Sequence, residues 1–208
     1  MDLFDKKLNK QATEMLKHRT FVFINHSIGI SMALIKSVRG FTPAFGKDCY
    51  LAENATVIGD VIMGDQCSVW FNAVVRGDVH FIRIGNKVNI QDGAIIHCTY
   101  ETAPTTIGNN VSIAHNAIVH GCTIHDNVLV GMAAIIMDNA VIGSNSVIAA
   151  GSVVLENTIV EPGSVYAGVP AKKIKSINQE LTSHLLDRIS NNYIKYAGWY
   201  KQESDTQE

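Results

Sequence analysis

Residues 90–128 read IQDGAIIHCTYETAPTTIGNNVSIAHNAIVHGCTIHDNV, and their apolar side chains recur every six positions. An amphipathic helix has a period of about 3.6 residues and a strand a period of two, so neither alone explains this spacing. The same rhythm continues outward in both directions along the chain. Its members are Leu51, Val57, Met63, Val69, Val75 and Phe81, then Ile84, Ile90 and Ile96, then Ile107, Ile113 and Val119, then Ile124, Val130 and Ile136, and finally Ile142, Ile148, Val154 and Val160.

A six-residue period predicts an all-β solenoid, a parallel β-helix of triangular cross-section. Each repeat supplies one short strand and one corner, so three repeats, about 18 residues, complete a coil. The large residue points into the prism, and a small side chain four positions later fits at the corner. One coil cannot bury its apolar edge alone, so the coils must stack. A β-sandwich is the alternative, but its strands would alternate apolar and polar residues more cleanly.

The composition argues against a nucleic-acid or membrane partner. The 208 residues carry a formal net charge of −2, and Lys and Arg are scattered along the chain. The apolar run from Thr20 to Ile35 is interrupted by polar residues, and it is too short for a membrane span and a poor match to a signal peptide. The cysteines form no CxxC pair, which predicts reduced thiols of a cytoplasmic protein. They are Cys49, Cys67, Cys98 and Cys122.

The chain divides into three predicted segments. Residues 1–31 form an N-terminal extension that is weakly ordered, or that precedes a native start at Met32. Residues 32–171 form the solenoid, and residues 172–208 form a C-terminal helix and tail. A stripe of apolar residues at helical intervals predicts a helix from about Gln179 to Ala197. The stripe consists of Leu181, Leu185, Ile189, Tyr193 and Tyr196.

Two histidines occupy the same position on successive coils. His97 directly follows Ile96, and His120 directly follows Val119. Ile96 and Val119 open the same face of adjacent coils if Thr99 to Thr106 is a loop that projects outward. The two imidazoles should therefore stack about 4.8 Å apart, one strand spacing. This separation suits two ligands of one metal ion.

A third histidine, His115, lies two residues after Ile113 and belongs to another face of the prism. A metal held by His97 and His120 could reach the His115 of a neighbouring chain if the face that Ile113 opens in one subunit packed against the face that Val119 opens in the next. Closed cyclic trimers are an ordinary result of such contacts. The pattern predicts a homotrimer with three equivalent sites, each shared by two subunits.

Three neutral imidazoles suit zinc, which then keeps an open position for water. Such an ion lowers the pKa of its water to about 7 and so supplies a metal-bound hydroxide at neutral pH. The bland alternative is that each histidine is a solvated surface residue. Two at one offset on consecutive coils, with a third at a complementary offset, favour metal binding.

Polar residues around the histidines extend the candidate site. Arg76 follows Val75 and should continue the column of His97 and His120. Asp92 shares the offset of His115, so it would hold a ligand or a partner arginine in place, and Gln91 would orient the hydroxide. Arg76 and Asp78 flank a glycine corner and could pair across the subunit boundary, although an exposed salt bridge there would contribute little.

The chain resembles the gamma-class carbonic anhydrase family over about Met32 to Tyr200. The resemblance is carried by Arg76-Gly77-Asp78, Asn89-Ile90-Gln91-Asp92-Gly93, His97, Ala114-His115 and His120-Gly121-Cys122. It implies a trimer of left-handed β-helices that interconverts carbon dioxide and bicarbonate. It also implies that His97, His115 and His120 bind zinc, or alternatively iron or cobalt. By the same resemblance Gln91 positions the hydroxide, and Asp92, Arg76 and Asp78 are supporting residues at the interface.

The chain departs from the strongly active members of that family at two positions. Those members carry proton-shuttling glutamates where this sequence has Val79 and Tyr100, although Glu101 is adjacent. The departure leaves the rate of turnover open, because a proton acceptor must lie within reach of the bound water. Two other functions remain: a coenzyme A-dependent acyltransferase with a histidine as general base, and a non-catalytic trimeric scaffold. The segment Val169-Pro170-Ala171-Lys172 is similar to the ending of many acyltransferases built from six-residue repeats, so it indicates the superfamily and not the reaction.

Overall fold

The computed structural model describes residues 32–177 and 179–205. They form a left-handed parallel β-helix of about seven coils with one C-terminal helix, which confirms the predicted fold class. The predicted extension over residues 1–31 lies outside the described residues. Across the described part of the chain, no helix has both the length and the apolar character that crossing a bilayer requires.

The prism has three faces, each built from one strand per coil. The histidine face, named for His97 and His120, contains β1 (Leu34–Lys36), the first parts of β4 (Thr56–Met63) and β6 (Val74–Ile84), β8 (Ile95–His97), β11 (Ile118–His120), β14 (Ile135–Ile136) and β17 (Val153–Val154). The third face contains β2 (Ala44–Phe45), the second parts of β4 and β6, β9 (Thr105–Ile107), β12 (Thr123–Ile124), β15 (Val141–Ile142) and β18 (Ile159–Val160).

The helix face is named for the C-terminal helix that packs on it. It contains β3 (Tyr50–Leu51), β5 (Ser68–Val69), β7 (Asn89–Ile90), β10 (Ser112–Ile113), β13 (Leu129–Val130), β16 (Val147–Ile148), β19 (Ser164–Ala167) and β20 (Lys172–Ser176). All its pairings are parallel except the last, in which β20 returns antiparallel to β19.

The six-residue period is the spacing of the side chains that point inward. In the regular coils the second residue of each two-residue strand is buried and the first is at least partly exposed. The inward residues stack in register, as Ile124 does on Ile107 and on Ile142. Fully buried members of this core include Ile90, Ile96, Ile107, Ile113, Ile124, Ile136, Ile142 and Ile148. Stacking therefore buries what a single coil would leave exposed.

The prediction for Phe81 was wrong. Phe81 is only partly buried, and Ile82 takes the inward place, in register with Val61. From Gly77 to Ile82 the chain advances five residues while the preceding coil advances two, from Gly59 to Val61, so the coil carries a three-residue bulge. Such an insertion changes the frame of the repeat. The predicted outward loop is also shorter, because its last two residues already belong to β9.

Side chains at one corner connect successive coils. The carboxylate or amide oxygens of Asp65, Asn86, Asn109 and Asp126 each accept the backbone N–H of a residue in the coil before. The next residue usually adopts a left-handed conformation, as Asn127 does with φ of 57°. Asparagine tolerates that conformation better than most residues. The turn residues of the sequence therefore lock each coil to its neighbour.

The C-terminal helix α1 (Gln179–Asp205) begins where the sequence predicts and extends past the expected end at Ala197. Among the helix residues whose side chains the structure describes, the buried ones are Leu186, Ser190 and Ala197, which are not members of the predicted stripe. The side chains of Leu181 and Leu185 lie outside the described set. Tyr193 packs edge-on against Trp70 at 5.3 Å between ring centroids, which agrees with a packing role for this tyrosine.

One corner residue holds the helix on its face. Asn110 donates from Nδ2 to Asp187 Oδ1 at 2.8 Å and accepts the hydroxyl hydrogen of Ser190. The helix also contacts β5 and β10. The chain's own helix therefore covers the part of this face around β5 and β10.

Replacing an inward residue should destabilise the protein far more than replacing an outward one of the same type. Ile142 is fully buried and Ile159 is 73% exposed on the next coil. We expect Ile142→Ala to lower the free energy of unfolding by about 2–5 kcal/mol and Ile159→Ala by no more than about 0.5 kcal/mol. Urea unfolding at equal protein concentrations measures both. Equal losses for the two variants would contradict the assignment of the core.

Candidate metal centre

His97 and His120 stack on the histidine face as their offsets predict. They are register partners on β8 and β11, and His97 Nδ1 lies 3.1 Å from His120 Nε2. The ring centroids are 5.1 Å apart, close to one strand spacing. Both side chains remain partly accessible at the edge where this face meets the third face. Two imidazole nitrogens are thus directed at one another from adjacent coils.

Asp78 orients His97 from the bulge in β6. Its Oδ1 lies 3.1 Å from His97 Nε2, and its Oδ2 accepts a hydrogen bond from Arg76 at 2.6 Å. Burial tends to raise the pKa of Asp78, but the hydrogen bonds from Arg76 and His97 outweigh burial and lower it. Burial lowers the pKa of His97, against the opposing hydrogen bond to Asp78. A neutral His97 that donates to an ionised Asp78 satisfies both shifts.

Asp138, which the sequence analysis missed, performs the same role for His120. Its Oδ1 faces His120 Nδ1, and its Oδ2 accepts the hydroxyl hydrogen of Thr99. Burial would raise the pKa of Asp138, yet these hydrogen bonds from Thr99 and His120 hold it below the usual value. The offset of Asp138 from the buried Ile136 is that of an ordinary corner residue, so no pattern in the sequence distinguished it.

His115 and Asp92 form a second cluster at a different edge. They follow β10 and β7, which pair in register, and His115 Nδ1 lies 2.9 Å from Asp92 Oδ2. Their side chains are 38% and 42% exposed, at the edge between the helix face and the histidine face. The predicted stacking of these two residues is present, and the second nitrogen of His115 has no contact with the column of His97.

Gln91 lies beside Asp92 but is buried. Its Nε2 donates to Asn89 Oδ1 at 2.9 Å, and Asn89 in turn donates to Ser112 Oγ at 2.8 Å. The amide is therefore held in one orientation by side chains of the helix face. The structure thus sorts the predicted residues into two groups. Arg76, Asp78, His97 and His120 meet on one edge, and Gln91, Asp92 and His115 meet on another.

The donor chemistry of the three histidines fits a divalent ion. Each imidazole has one nitrogen against a carboxylate, and a carboxylate can only accept, so that nitrogen carries the hydrogen. The remaining nitrogen of each ring then has a free lone pair. The 3.1 Å between the inner nitrogens of His97 and His120 is close to the roughly 3.3 Å that two tetrahedral zinc ligands would show. Two lone pairs that face each other at this distance repel, and a divalent ion between them would replace that repulsion with coordination.

Within residues 32–177 and 179–205, one chain alone does not assemble three or more His, Cys, Asp or Glu side chains into an arrangement that could hold a metal ion. The four cysteines are free, and three of them are buried. Burial raises the pKa of Cys98 to about 11 and raises that of Cys122 further. Cys98 and Cys122 are therefore packing residues of the core.

The positions without the expected glutamates lie beside the histidine column. Val79 belongs to the bulge that carries Asp78, and Tyr100 is 55% exposed on the outward loop. A hydrogen bond to Glu101 and the charge of that carboxylate raise the pKa of Tyr100. Arg39 contacts both neighbouring segments. Its Nη1 lies 3.4 Å from the carbonyl oxygen of Asp78, and its guanidinium carbon lies 5.6 Å from the centroid of the Tyr100 ring. The tyrosine thus stays protonated at neutral pH, and Glu101 is the ionisable acceptor nearest to it in sequence.

Comparisons with known proteins agree with this fold. Residues 121–156 match the family described as bacterial transferase hexapeptide (six repeats). The chain is 53% identical over 151 residues to a probable carbonic anhydrase of Methanocaldococcus jannaschii, covering 73% of this chain and 92% of the relative. It is 39% identical over 168 residues to a carbonic anhydrase of Geobacillus kaustophilus, covering 81% and 91%.

A solved structure adds the three-dimensional comparison. A putative acetyltransferase of Bacillus cereus superposes with a TM-score of 0.79 at 34% identity, covering 83% of this chain and 99% of the other. The solved structure named as an acetyltransferase is 34% identical to this chain, and the two relatives named as carbonic anhydrases are 53% and 39% identical. The chain belongs to the gamma-class carbonic anhydrase family of hexapeptide-repeat proteins.

Proposed function

We propose that this protein is a metal-dependent lyase that interconverts carbon dioxide and bicarbonate at sites shared between the subunits of a homotrimer. The observation that carries the proposal is the pairing of each of three histidines with its own carboxylate: His97 with Asp78, His115 with Asp92 and His120 with Asp138. Histidines that bind catalytic metals commonly donate their second N–H in this way. Solvated surface histidines have no need of such partners.

The shape of the histidine face supports a shared site. His115 borders this face on one edge, and His97 and His120 border it on the other, with His115 and His120 on the same coil. If three prisms turned their histidine faces toward a threefold axis, the edge carrying His97 and His120 would meet the neighbour's edge carrying His115. Each of the three contacts between neighbouring prisms would then hold one complete set of three ligands.

The outward residues of the histidine face favour burial in such a trimer. They form a column of mostly apolar side chains, and Ile95 at its centre is 42% exposed. The column consists of Thr56, Val74, Ile95, Ile118, Ile135 and Val153. A continuous apolar surface of this kind is typical of a protein interface.

This proposed arrangement differs from the packing expected from the sequence. That expectation set the face that Ile113 opens in one prism against the face that Val119 opens in the next, which corresponds to the helix face against the histidine face. Helix α1 packs on β5 and β10 of the helix face, so it lies on part of the surface that this contact would use. Contact at the edges of neighbouring histidine faces avoids the helix and keeps the same three ligands together.

The ion that suits three neutral imidazoles is zinc, with iron or cobalt as alternatives, and it would supply the nucleophile by lowering the pKa of a water to about 7. The protein residues have separate roles around it. Gln91, fixed by Asn89, would orient the attacking oxygen by hydrogen bonding. Arg76 keeps Asp78 ionised. The carboxylate of Asp78 then accepts a hydrogen bond from His97 Nε2, which keeps the hydrogen on that nitrogen and fixes the orientation of the ring. Asp92 holds His115 in the same manner.

The chain has no glutamate at the two positions where strongly active members of the family carry proton-shuttling residues, so we expect proton release to limit turnover. With Val79 and Tyr100 beside the site, Glu101 is the nearby ionisable acceptor, and it is bound to the Tyr100 hydroxyl. We therefore expect turnover to depend on buffer, because a diffusing base must accept protons that no side chain receives efficiently.

The proposed activity is tested by stopped-flow hydration of carbon dioxide with zinc-loaded, cobalt-loaded and iron-loaded protein. We expect measurable hydration that rises with buffer concentration, disappears on chelation and returns when the metal is restored. Glu101→Gln should lower the rate at low buffer and leave the rate at saturating buffer nearly unchanged. A metal-replete trimer without hydration activity would contradict the proposal.

An acyltransferase is the second candidate, favoured by the likeness to the putative acetyltransferase of Bacillus cereus and to a hexapeptide transferase family protein of Anaplasma phagocytophilum, which superposes with a TM-score of 0.75 at 37% identity. It would use one of the carboxylate-bound histidines as a general base. Acetyl transfer from acetyl-coenzyme A that persists after chelation would identify this activity. We place the protein in the cytoplasm, since its four free thiols suit a reducing compartment.

A further inference from the structure

The chain contains two turns with the same pattern of residue types, and the aspartates of these turns make different contacts. Ile124-His125-Asp126-Asn127 and Ile136-Met137-Asp138-Asn139 both place an aspartate two residues after a buried isoleucine. Both end on an asparagine in the left-handed conformation. A structural role would give both aspartates the same partner, the backbone amide of the preceding coil.

Asp126 has that partner. Its Oδ1 accepts the backbone N–H of Asn109 at 2.6 Å, and it also receives the Asn109 side-chain amide. Asp65 has the same offset from Met63 and likewise accepts the backbone N–H of Lys47 at 2.7 Å. At this offset an aspartate therefore normally links two coils through the backbone.

Asp138 does not make the corresponding bond. The residue equivalent to Asn109 is Gly121, and its amide donates to the carbonyl oxygen of His97 at 3.1 Å. The two carboxylate oxygens of Asp138 are bound instead to His120 and Thr99. A Cβ at position 121 would lie 2.5 Å from Asp138 Oδ1, so the glycine leaves the space that the carboxylate occupies.

We propose that Asp138 is a positioning residue for metal binding, which holds the hydrogen on His120 Nδ1 and leaves the lone pair of Nε2 for the ion. Thr99 fixes the second carboxylate oxygen and so connects the outward loop after β8 to the ligand. Asp138 thereby matches Asp78 and Asp92, and each ligand histidine has one carboxylate. This inference rests on the proposed metal site.

Asp138→Asn tests the proposal because the amide keeps the size of the side chain and removes its charge. We expect zinc affinity, measured by competition with a chromophoric chelator, to fall about 10–100-fold. Thr99→Val, which keeps the shape of the side chain and removes the hydroxyl, should cause a smaller loss, below about 10-fold. Asp126→Asn is the matched control. Its amide oxygen can still accept the backbone N–H of Asn109, as the amide oxygens of Asn86 and Asn109 do in their own coils, so the variant should leave both zinc affinity and the urea midpoint nearly unchanged.

The second readout needs no metal. At about pH 9, where imidazoles are neutral, ¹⁵N NMR of the metal-free protein should show His120 protonated on Nδ1. Asp138→Leu, which removes the acceptor, should populate both tautomers, whereas Asp126→Asn should not. If the wild-type protein binds no zinc, the proposed function fails and this inference fails with it. If the wild-type protein binds zinc and Asp138→Asn binds it equally, with the tautomer unchanged in Asp138→Leu, this inference alone is overturned.

Discussion

His115→Ala is expected to remove metal from every site of the trimer while the solenoid stays folded. The His115 side chain is 38% exposed at a corner, and its described polar contact is with Asp92, so its loss leaves the core intact. Removal of a ligand should weaken zinc binding by more than about 100-fold, because residues that merely orient ligands already account for about 10–100-fold. Elemental analysis of the purified protein and far-UV circular dichroism measure the two outcomes.

His125→Ala is the matched control for that substitution. His125 follows the inward Ile124 just as His120 follows the inward Val119, but it lies on the third face. We expect this variant to keep its metal and its activity. Loss of zinc in His125→Ala, or full zinc content in His115→Ala, would show that the three chosen histidines are not the ligands.

In the proposed trimer, Ile118→Glu should separate the subunits into monomers. Ile118 points outward from the middle of the apolar column on the histidine face, between Ile95 and Ile135. A carboxylate buried in an apolar interface without a partner is strongly unfavourable. We expect a mass near 22.7 kDa in sedimentation analysis in place of three times that value, with zinc binding lost at the same time.

Val141→Glu provides the comparison on the third face. Val141 is also the outward, half-buried residue of a two-residue strand, on β15. Since the proposed interface does not include the third face, this variant should remain trimeric and retain metal. If Val141→Glu dissociates and Ile118→Glu remains a trimer, the interface lies on the third face, which would contradict the proposed assembly.

The fold and the column of histidines could be predicted because a six-residue period fixes both the inward side chains and their vertical register. Once Ile96 and Val119 are assigned to the same face, His97 and His120 must be neighbours, and the structure pairs them. The bulge after Gly77 could not be predicted in this way. Its extra residues include Phe81, which imitates the next inward residue of the repeat.

The contacts of Asp138 and the face proposed for assembly could not be predicted from the sequence for a different reason. Asp126 and Asp138 occur in the same turn pattern, and only the neighbouring coil decides whether the carboxylate meets a backbone amide or an imidazole. Likewise, the stripe on α1 predicts a helix that packs on the prism but does not specify which face it takes. The six-residue period predicts which side chains point inward. It does not predict the partner of a corner carboxylate or the face on which the helix packs.

Hybrid trimers of His97→Ala and His115→Ala chains provide the most direct test of a site shared between subunits. Each variant alone should bind no zinc, since one lacks the pair on the histidine face and the other lacks the neighbour's ligand. In a mixed cyclic trimer, a His115→Ala chain still offers His97 and His120 to the intact His115 of a His97→Ala neighbour, so one complete site forms. Random equal mixing should therefore restore zinc and carbon dioxide hydration to about a quarter of the wild-type level. Mixed trimers as empty and inactive as their parents would contradict the account.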